Sequence, residues 1–172
     1  MSVIITQVEP SDTHLLPGLV HLLQDAVHSG ASVGFLAPLS QTEARAYWEG
    51  VLAGLGSNLR LWIAEADGRI VGTIQYCPAW EPDSRHRAEL QKLLVLSTFR
   101  GQGLASQLMH TAEAAALADG RTLLTGDTTP GPEAERVYRH LGWTRVGEVP
   151  DFARSPTGEL HATVYLYKRI GP

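Results

Sequence analysis

The sequence predicts a mixed α/β (α+β) domain built on one sheet, mostly antiparallel, with helices on both faces. Three observations predict it. The apolar pattern switches repeatedly between short β-rich runs and stretches with spacings of three and four. Asp67-Gly68, a pair that tolerates positive φ, joins two of the β-rich runs as a tight antiparallel hairpin. A strand, a glycine turn, a long helical run and another strand then follow in order. Such a right-handed crossover makes its two strands parallel and changes the character of the sheet midway. Parallel strands that part at such a point open a crevice for a ligand.

The elements follow in order. Val3 to Val8 alternates weakly and stops at Pro10, as a first strand would. Ser11 or Asp12 is placed to cap a helix whose apolar residues Leu15, Leu16, Leu19, Leu22, Leu23, Ala26 and Val27 share one face. The segment Gly30 to Phe35 breaks it. Ser40-Gln41-Thr42-Glu43 is a capping box for a second helix running to about Leu55. Leu59 to Ala66 and Arg69 to Cys77 are the hairpin strands, and Ala88 to Leu96 is the next strand. Leu104 to Ala118 is helical and stops at Gly120. Thr122 to Thr125 is a short strand leading into Gly126-Asp127, Glu133 to Leu141 a short helix, and Trp143 to Val149 and His161 to Tyr167 the closing strands.

Composition narrows the function. At 172 residues with 44% hydrophobic content, the chain suits one domain spanning 1–172. The formal net charge of -4, with scattered Lys and Arg, lacks the footprint of a nucleic-acid binder. No run approaches the roughly 20 apolar residues of a membrane span, and Met1 to Ile5 has neither the basic region nor the cleavage site of a signal peptide, so the expected location is cytoplasmic. The only cysteine, Cys77, excludes an internal disulfide and is expected to be a small buried hydrophobe. His14, His21 and His28 recur every seven residues, about 10.5 Å apart on a helix, too far to share a metal. No metal is expected.

The residues that carry chemistry begin with Arg100-Gly101-Gln102-Gly103-Leu104-Ala105, between a strand and a long helix. Its glycines allow close backbone approach, and a helix N-terminus offers unpaired N–H groups and the positive end of a dipole to an anion such as a pyrophosphate. The loop is neither a Walker loop nor the dinucleotide fingerprint. It resembles the Arg/Gln-x-x-Gly-x-Gly/Ala pyrophosphate loop of the GCN5-related N-acetyltransferase (GNAT) family. The run Ala134 to Trp143 is similar to that family's downstream helix, with its tyrosine and Leu-Gly-aromatic ending. The order of elements agrees over essentially the whole chain. Three further segments, Gly30 to Phe35, Arg87 to Leu93, and Arg145 to Pro150 with the following Pro156 to His161, are similar to the tabtoxin-resistance branch of that family, whose substrate is an amino-acid-like β-lactam toxin.

The resemblance implies acetyl-CoA as acyl donor. The backbone of Leu93, Leu94 and Val95 would bind the pantetheine arm as a pseudo-strand, and Arg100 with Gly101, Gln102, Gly103, Leu104, Ala105 and Ser106 would hold the diphosphate. It implies direct attack of a small primary amine, with Tyr138 assisting departure of the thiolate. Glu89, on the strand leading to the cofactor, and Asp127, at the end of the adjacent parallel strand, are the candidate bases, with the principal one open. The acceptor is expected around Val33, Gly34 and Phe35 and around Asp151 and Phe152. Where many family members carry an asparagine before the downstream helix, this chain has Gly131. A protein or peptide acceptor and a catalytically silent acyl-CoA-binding regulator are the alternatives. Exposed strand edges suggest a homodimer.

Overall fold

The structure is a computed structural model that describes residues 2–172; Met1 lies outside the described residues. Its elements are β1 (Val3–Gln7), α1 (Leu16–His28), α2 (Gln41–Gly54), β2 (Arg60–Ala66), β3 (Arg69–Pro78), β4 (Arg87–Val95), α3 (Leu104–Ala118), β5 (Leu123–Thr128), α4 (Pro132–His140), β6 (Thr144–Arg154) and β7 (Leu160–Arg169). The seven strands form one sheet in the order β1-β2-β3-β4-β5-β7-β6. Only β4 and β5 pair in parallel.

Local chemistry explains most boundaries. Asp67 (φ 50°) and Gly68 (φ 73°) make the two-residue turn between β2 and β3 with both residues at positive φ. Ser40 caps α2: its hydroxyl accepts from Glu43 N at 3.1 Å, and the Glu43 carboxylate accepts from Ser40 N at 3.2 Å. The Ser40 hydroxyl also donates to Glu43 Oε2 at 2.6 Å, and this bond, followed by the one from Ser40 N, holds the Glu43 carboxyl below its ordinary range. The N-terminus of α1 departs from expectation. Neither Ser11 nor Asp12 caps it; Asp12 instead accepts from Glu9 N at 2.8 Å, closing a turn, and a 3₁₀ turn over Thr13–Leu15 leads into the helix. Pro17 within the first helical turn lacks the N–H that a cap would have served.

Neighbouring residues of β3 show which helices cover which face. The Gln75 amide donates to Tyr47 Oη of α2 at 3.0 Å, while Tyr76 reaches the Asp119 carboxylate at the end of α3, 2.8 Å away. Successive side chains of a strand point to opposite faces, so α2 and α3 lie on opposite sides of the sheet. Leu104, Leu108, Met109, Ala112 and Ala116 bury the inner stripe of α3, and Leu16, Leu19, Leu22, Leu23 and Ala26 that of α1. The two closing strands run longer than the sequence pattern indicates, because β6 continues through two register shifts to Arg154 against β7. Asp151 and Phe152 therefore belong to a bulged strand. Asp127 likewise lies within β5, whose pairing with β7 continues to Thr128.

Close packing of α3 on β3 predicts opposite outcomes for two glycines. A Cβ at Gly72 would stand 2.9 Å from Leu108 Cδ1 and 3.0 Å from the Leu94 carbonyl oxygen, whereas one at Gly50, on exposed α2 surface, would meet nothing within 4 Å. Gly72→Ala should lose about 1–3 kcal/mol of stability, and Gly50→Ala should gain roughly 0.5–1 kcal/mol. Urea unfolding of the two variants measures both.

Candidate functional site

The site forms where β4 and β5 part. Arg87, Ala88 and Glu89 pair with Leu123, Leu124 and Thr125, and the ladder then stops although both strands continue. From Gln91 to Val95, β4 keeps β3 on one side and has no strand on the other. That edge presents backbone donors and acceptors able to receive an extended ligand as an added strand. Gly126 lines the mouth on the β5 side, where a Cβ would reach contact distance, 3.4 Å from the Leu90 carbonyl oxygen and 3.7 Å from the Tyr138 ring. Leu93 and Val95 are half-buried at this edge, and Leu94 turns into the core.

The glycine loop stands at the far end of β4. Gly101 (φ 76°) and Gly103 (φ 78°) take left-handed conformations, and Gly103 is the N-cap of the 15-residue α3. No neighbour lies within 4 Å of a Cβ at either position, so backbone geometry rather than space requires glycine. None of the backbone N–H groups from Gly101 through Ser106 donates to a described acceptor. Gly101, Gln102 and Gly103 are exposed, Ala105 and Ser106 half-buried, and Leu104 anchors the turn in the core. A cluster of free N–H groups at a helix N-terminus is an anion cradle. The Arg100 guanidinium instead donates to the Val95 carbonyl at 3.3 Å and to Ser29 Oγ at 2.8 Å, tying the loop to the end of β4 and to α1.

Glu89 and Asp127 come together on one face. Glu89 is in register with Thr125, two residues before Asp127 in β5, and side chains two apart share a face. Partial desolvation, followed by the nearby Asp127 charge, raises the Glu89 carboxyl above its ordinary range, although the residue is exposed. Buried Thr163 on β7 donates from its hydroxyl to Asp127 Oδ2 at 2.8 Å. Tyr138 projects from α4 onto Gly126 and packs edge-on against Trp143, with ring centroids 5.3 Å apart. It is buried, and that burial, followed by the Asp127 charge, pushes its phenol up to about 12. Its hydroxyl makes no hydrogen bond to a described residue, yet it is not sealed from solvent as the Trp143 indole N–H is.

Some expected site residues join this group and others do not. Phe35 stacks edge-on against Tyr47 at 5.2 Å, and the Gly34 backbone passes the Lys92 ammonium, a Cβ on it standing 3.8 Å from Nζ. Phe152 is exposed and stacks on Tyr165, itself in register with Asp127, so it borders the site on the β7 side. Val33 packs partly against the core, and Asp151 is exposed at φ 50° in the β6 bulge; neither contacts the carboxylate pair. Lys92, Gln91, Gln75 and Thr163 face the same space and were given no role from the sequence. Gln91 and Lys92 lie within the resemblance segment Arg87 to Leu93, as a polar pair interrupting the apolar run of β4, whereas Gln75 and Thr163 had no signal.

Cys77 corrects an expectation. It is half-buried rather than fully buried, because it faces the side that opens beside Glu89, its register partner, and it accepts a hydrogen bond from Gln91 Nε2 at 2.9 Å. Desolvation raises its thiol, the Gln91 hydrogen bond opposes this, and the Glu89 charge raises it further. A carboxylate beside a thiol so held protonated does not make it a nucleophile. Gly131 (φ 134°) begins α4 and donates its N–H to Glu135 Oε2 at 3.1 Å. That hydrogen bond, assisted by Arg145, holds the Glu135 carboxyl below its usual range. Among the described residues, no group of three or more His, Cys, Asp or Glu side chains is placed to hold a metal ion. No helix among them is long and apolar enough to cross a membrane.

Comparison with known proteins bears on this geometry. The family model described as "Acetyltransferase (GNAT) family" matches residues 21–143. N-acetyltransferase 8 of Rattus norvegicus is 38% identical over 91 residues, 51% of this chain and 40% of that protein. N-acetylaspartate synthetase of Danio rerio is 32% identical over 116 residues, 63% of this chain and 40% of that protein. The chain thus spans about two fifths of the length of these relatives. Among solved structures, a phosphinothricin acetyltransferase from Sinorhizobium meliloti in complex with acetyl-CoA superposes with a TM-score of 0.78 at 16% identity, covering 99% of this chain and 90% of that one. At that identity the likeness speaks to fold alone.

The buried phenol of Tyr138 gives stability a pH dependence. Its folded pKa lies above the unfolded value of about 10, so its contribution is complete below pH 10 and is lost as pH rises through about 12. Two units correspond to roughly 3 kcal/mol as an order of magnitude. Denaturant melts from pH 9 to 12 should show falling stability, with a shallower fall in Tyr138→Phe.

Proposed function

Since the chain belongs to the acetyltransferase (GNAT) family, we propose that it is an N-acetyltransferase that moves an acetyl group from acetyl-CoA to the primary amine of a small, amino-acid-like acceptor. The observation that carries the reading is the parting of β4 from β5, with a free backbone edge and glycine loop on one side and two carboxylates and a tyrosine at the mouth. The relative named for making N-acetylaspartate is consistent with an amino-acid acceptor. A tabtoxin-like amine belongs to the same chemical class. A cytoplasmic location, where CoA thioesters are available, goes with the reading.

The residues fit the acyl donor. Residues Leu93 to Val95 would bind the pantetheine amides along the free edge, and the N–H groups of Gly101 to Ser106 would hold the diphosphate. The donor supplies an activated thioester carbonyl. A backbone N–H of the β4 edge aimed at that oxygen stabilises the negative charge that grows there when the amine attacks.

Two proton movements remain for side chains. Removing the proton from a lysine-like ammonium at pH 7 costs about 4.6 kcal/mol, and from an α-amine near pKa 8 about 1.4 kcal/mol. A modest base suffices for an α-amine of that kind, and a free amino acid, whose own carboxylate raises its ammonium, gains more from one. Glu89, with its raised carboxyl, takes that proton directly or through water, and Asp127, fixed by Thr163, holds the ammonium beside it. The departing thiolate, near pKa 8.5, needs a partner. Complete transfer from a phenol at about 12 would be uphill by roughly 5 kcal/mol. Tyr138 therefore assists by donating a hydrogen bond rather than its proton.

A panel of amino acids, dipeptides, polyamines, β-lactam amines and peptides, assayed for CoA release, tests the reading. Turnover confined to small amino-acid-like amines is expected. Acetyl-CoA binding with no turnover of any acceptor would leave a silent binder, and turnover of peptides alone a protein acetyltransferase. Tyr138→Phe should lower kcat roughly 10- to 100-fold with little change in acetyl-CoA affinity, as expected for one hydrogen bond made to developing charge. Asp127→Asn removes a charge that raises Glu89, so the acid limb of the kcat/KM profile should move to lower pH. An unmoved limb would take Glu89 out of the base role.

A further inference from the structure

Lys92 is a half-buried cation on the acceptor face whose position nothing above uses. On a regular strand it would point away from Glu89, three residues earlier. Instead the β3–β4 register shifts between Thr73 and Gln75, and Lys92 adopts φ 51°, an uncommon conformation for a residue with a side chain. Buried Thr73 holds the distortion by donating its hydroxyl to the Lys92 carbonyl at 3.0 Å. The bulge turns the ammonium onto the face of Glu89 and Gln91, where it sits over the Tyr47 ring with Nζ 6.0 Å from the centroid.

The head group is half-buried yet incompletely compensated. No described carboxylate lies within 4.0 Å of Nζ, and it makes no hydrogen bond to the protein. Desolvation lowers the lysine from its ordinary range, with the charges of Asp127 and Glu89 opposing. A partly desolvated cation without a close anion has unused binding capacity, which a charge-assisted contact from a ligand fills. The surroundings suit a small anion: the Gly34 backbone approaches without a side chain, and the Tyr47 hydroxyl, engaged by Gln75, forms the floor.

We propose that Lys92 is the carboxylate anchor of the acceptor site, so that the acceptor is an amino acid whose carboxylate lies on Lys92 while its amine lies at Glu89 and Asp127. This rests on the acetyl-transfer reading above. The half-buried Lys92 ammonium and two carboxylates on a single face complement a zwitterion, the ammonium going to the carboxylates and the carboxylate to the lysine, while Arg87, on the same face of β4, is exposed to solvent. An amine with no acidic group would leave the lysine unmatched.

The experiment compares initial rates of CoA release at saturating acetyl-CoA for L-amino acids, each beside its α-carboxamide, in the wild type, Lys92→Met and Lys92→Arg. The amide's amine is the more easily deprotonated, so without an anchor it would be the better acceptor. The expected result is a wild-type kcat/KM favouring the acid by roughly 10- to 100-fold. That ratio should collapse toward one in Lys92→Met, through a raised KM for the acids, and largely return in Lys92→Arg. Loss of equal size on acid and amide would overturn the proposal, because it would assign Lys92 to the ionisation of Glu89 or to the fold. Wild-type turnover that ignores the carboxylate would overturn it while leaving acetyl transfer intact. Acetyl-CoA binding with no small amine turned over would overturn both. Should Lys92→Met fail to fold, the wild-type acid–amide ratio still decides.

Discussion

The structure depends on one ladder that stops early. β4 and β5 share three paired residues and then separate while each keeps its partner on the far side, β3 for one and β7 for the other. The sheet remains continuous, and backbone groups that would normally pair with a neighbouring strand are left free. Gly126 sits at the fork, where an added Cβ would come to contact distance of the Leu90 carbonyl oxygen and the Tyr138 ring. The crossover helix α3 begins at the far end of the same strand, which brings its unpaired N–H groups to one end of the open edge. A single topological choice thus sets an open backbone edge and a cluster of unpaired N–H groups along one strand.

Electrostatics on the acceptor face follow from the same fork. Glu89 stands at the last pair before the strands part, and Asp127 stands just beyond it. Partial desolvation and then the Asp127 charge raise the Glu89 carboxyl above its ordinary range, which suits it to capture a proton. Thr163 fixes Asp127 by a hydrogen bond, leaving Glu89 as the less tethered of the two. The β4 bulge then adds a positive group to this face, and its backbone distortion is held by a buried threonine. Uncommon backbone conformations maintained by a specific partner tend to gather at functional sites.

Much of this was legible in the sequence. The hairpin at Asp67-Gly68, the capping box at Ser40, the strand–glycine–helix crossover and the order of elements all rest on local chemistry, which the chain writes directly. Glu89 and Asp127 were placed at the crevice by topology alone. The position of Lys92 was not legible, because a bulge reverses the side from which strand parity is read, and its cause is the tertiary contact with Thr73. The reach of β6 to Arg154 was hidden for a similar reason, since its pairing is maintained across register shifts that break the alternation. Cys77 was misjudged because an apolar run says a residue faces other side chains without saying whether that face is covered.

The central claim is that the open edge of β4 and the N-terminus of α3 together receive acetyl-CoA. Amide-resolved hydrogen exchange with and without acetyl-CoA tests it most directly. The account expects new protection concentrated at Gln91 to Val95 and Gly101 to Ser106, with β1 and β2 unchanged. Binding that leaves those amides exchanging at their free rates, with protection appearing elsewhere on the molecule, would contradict it.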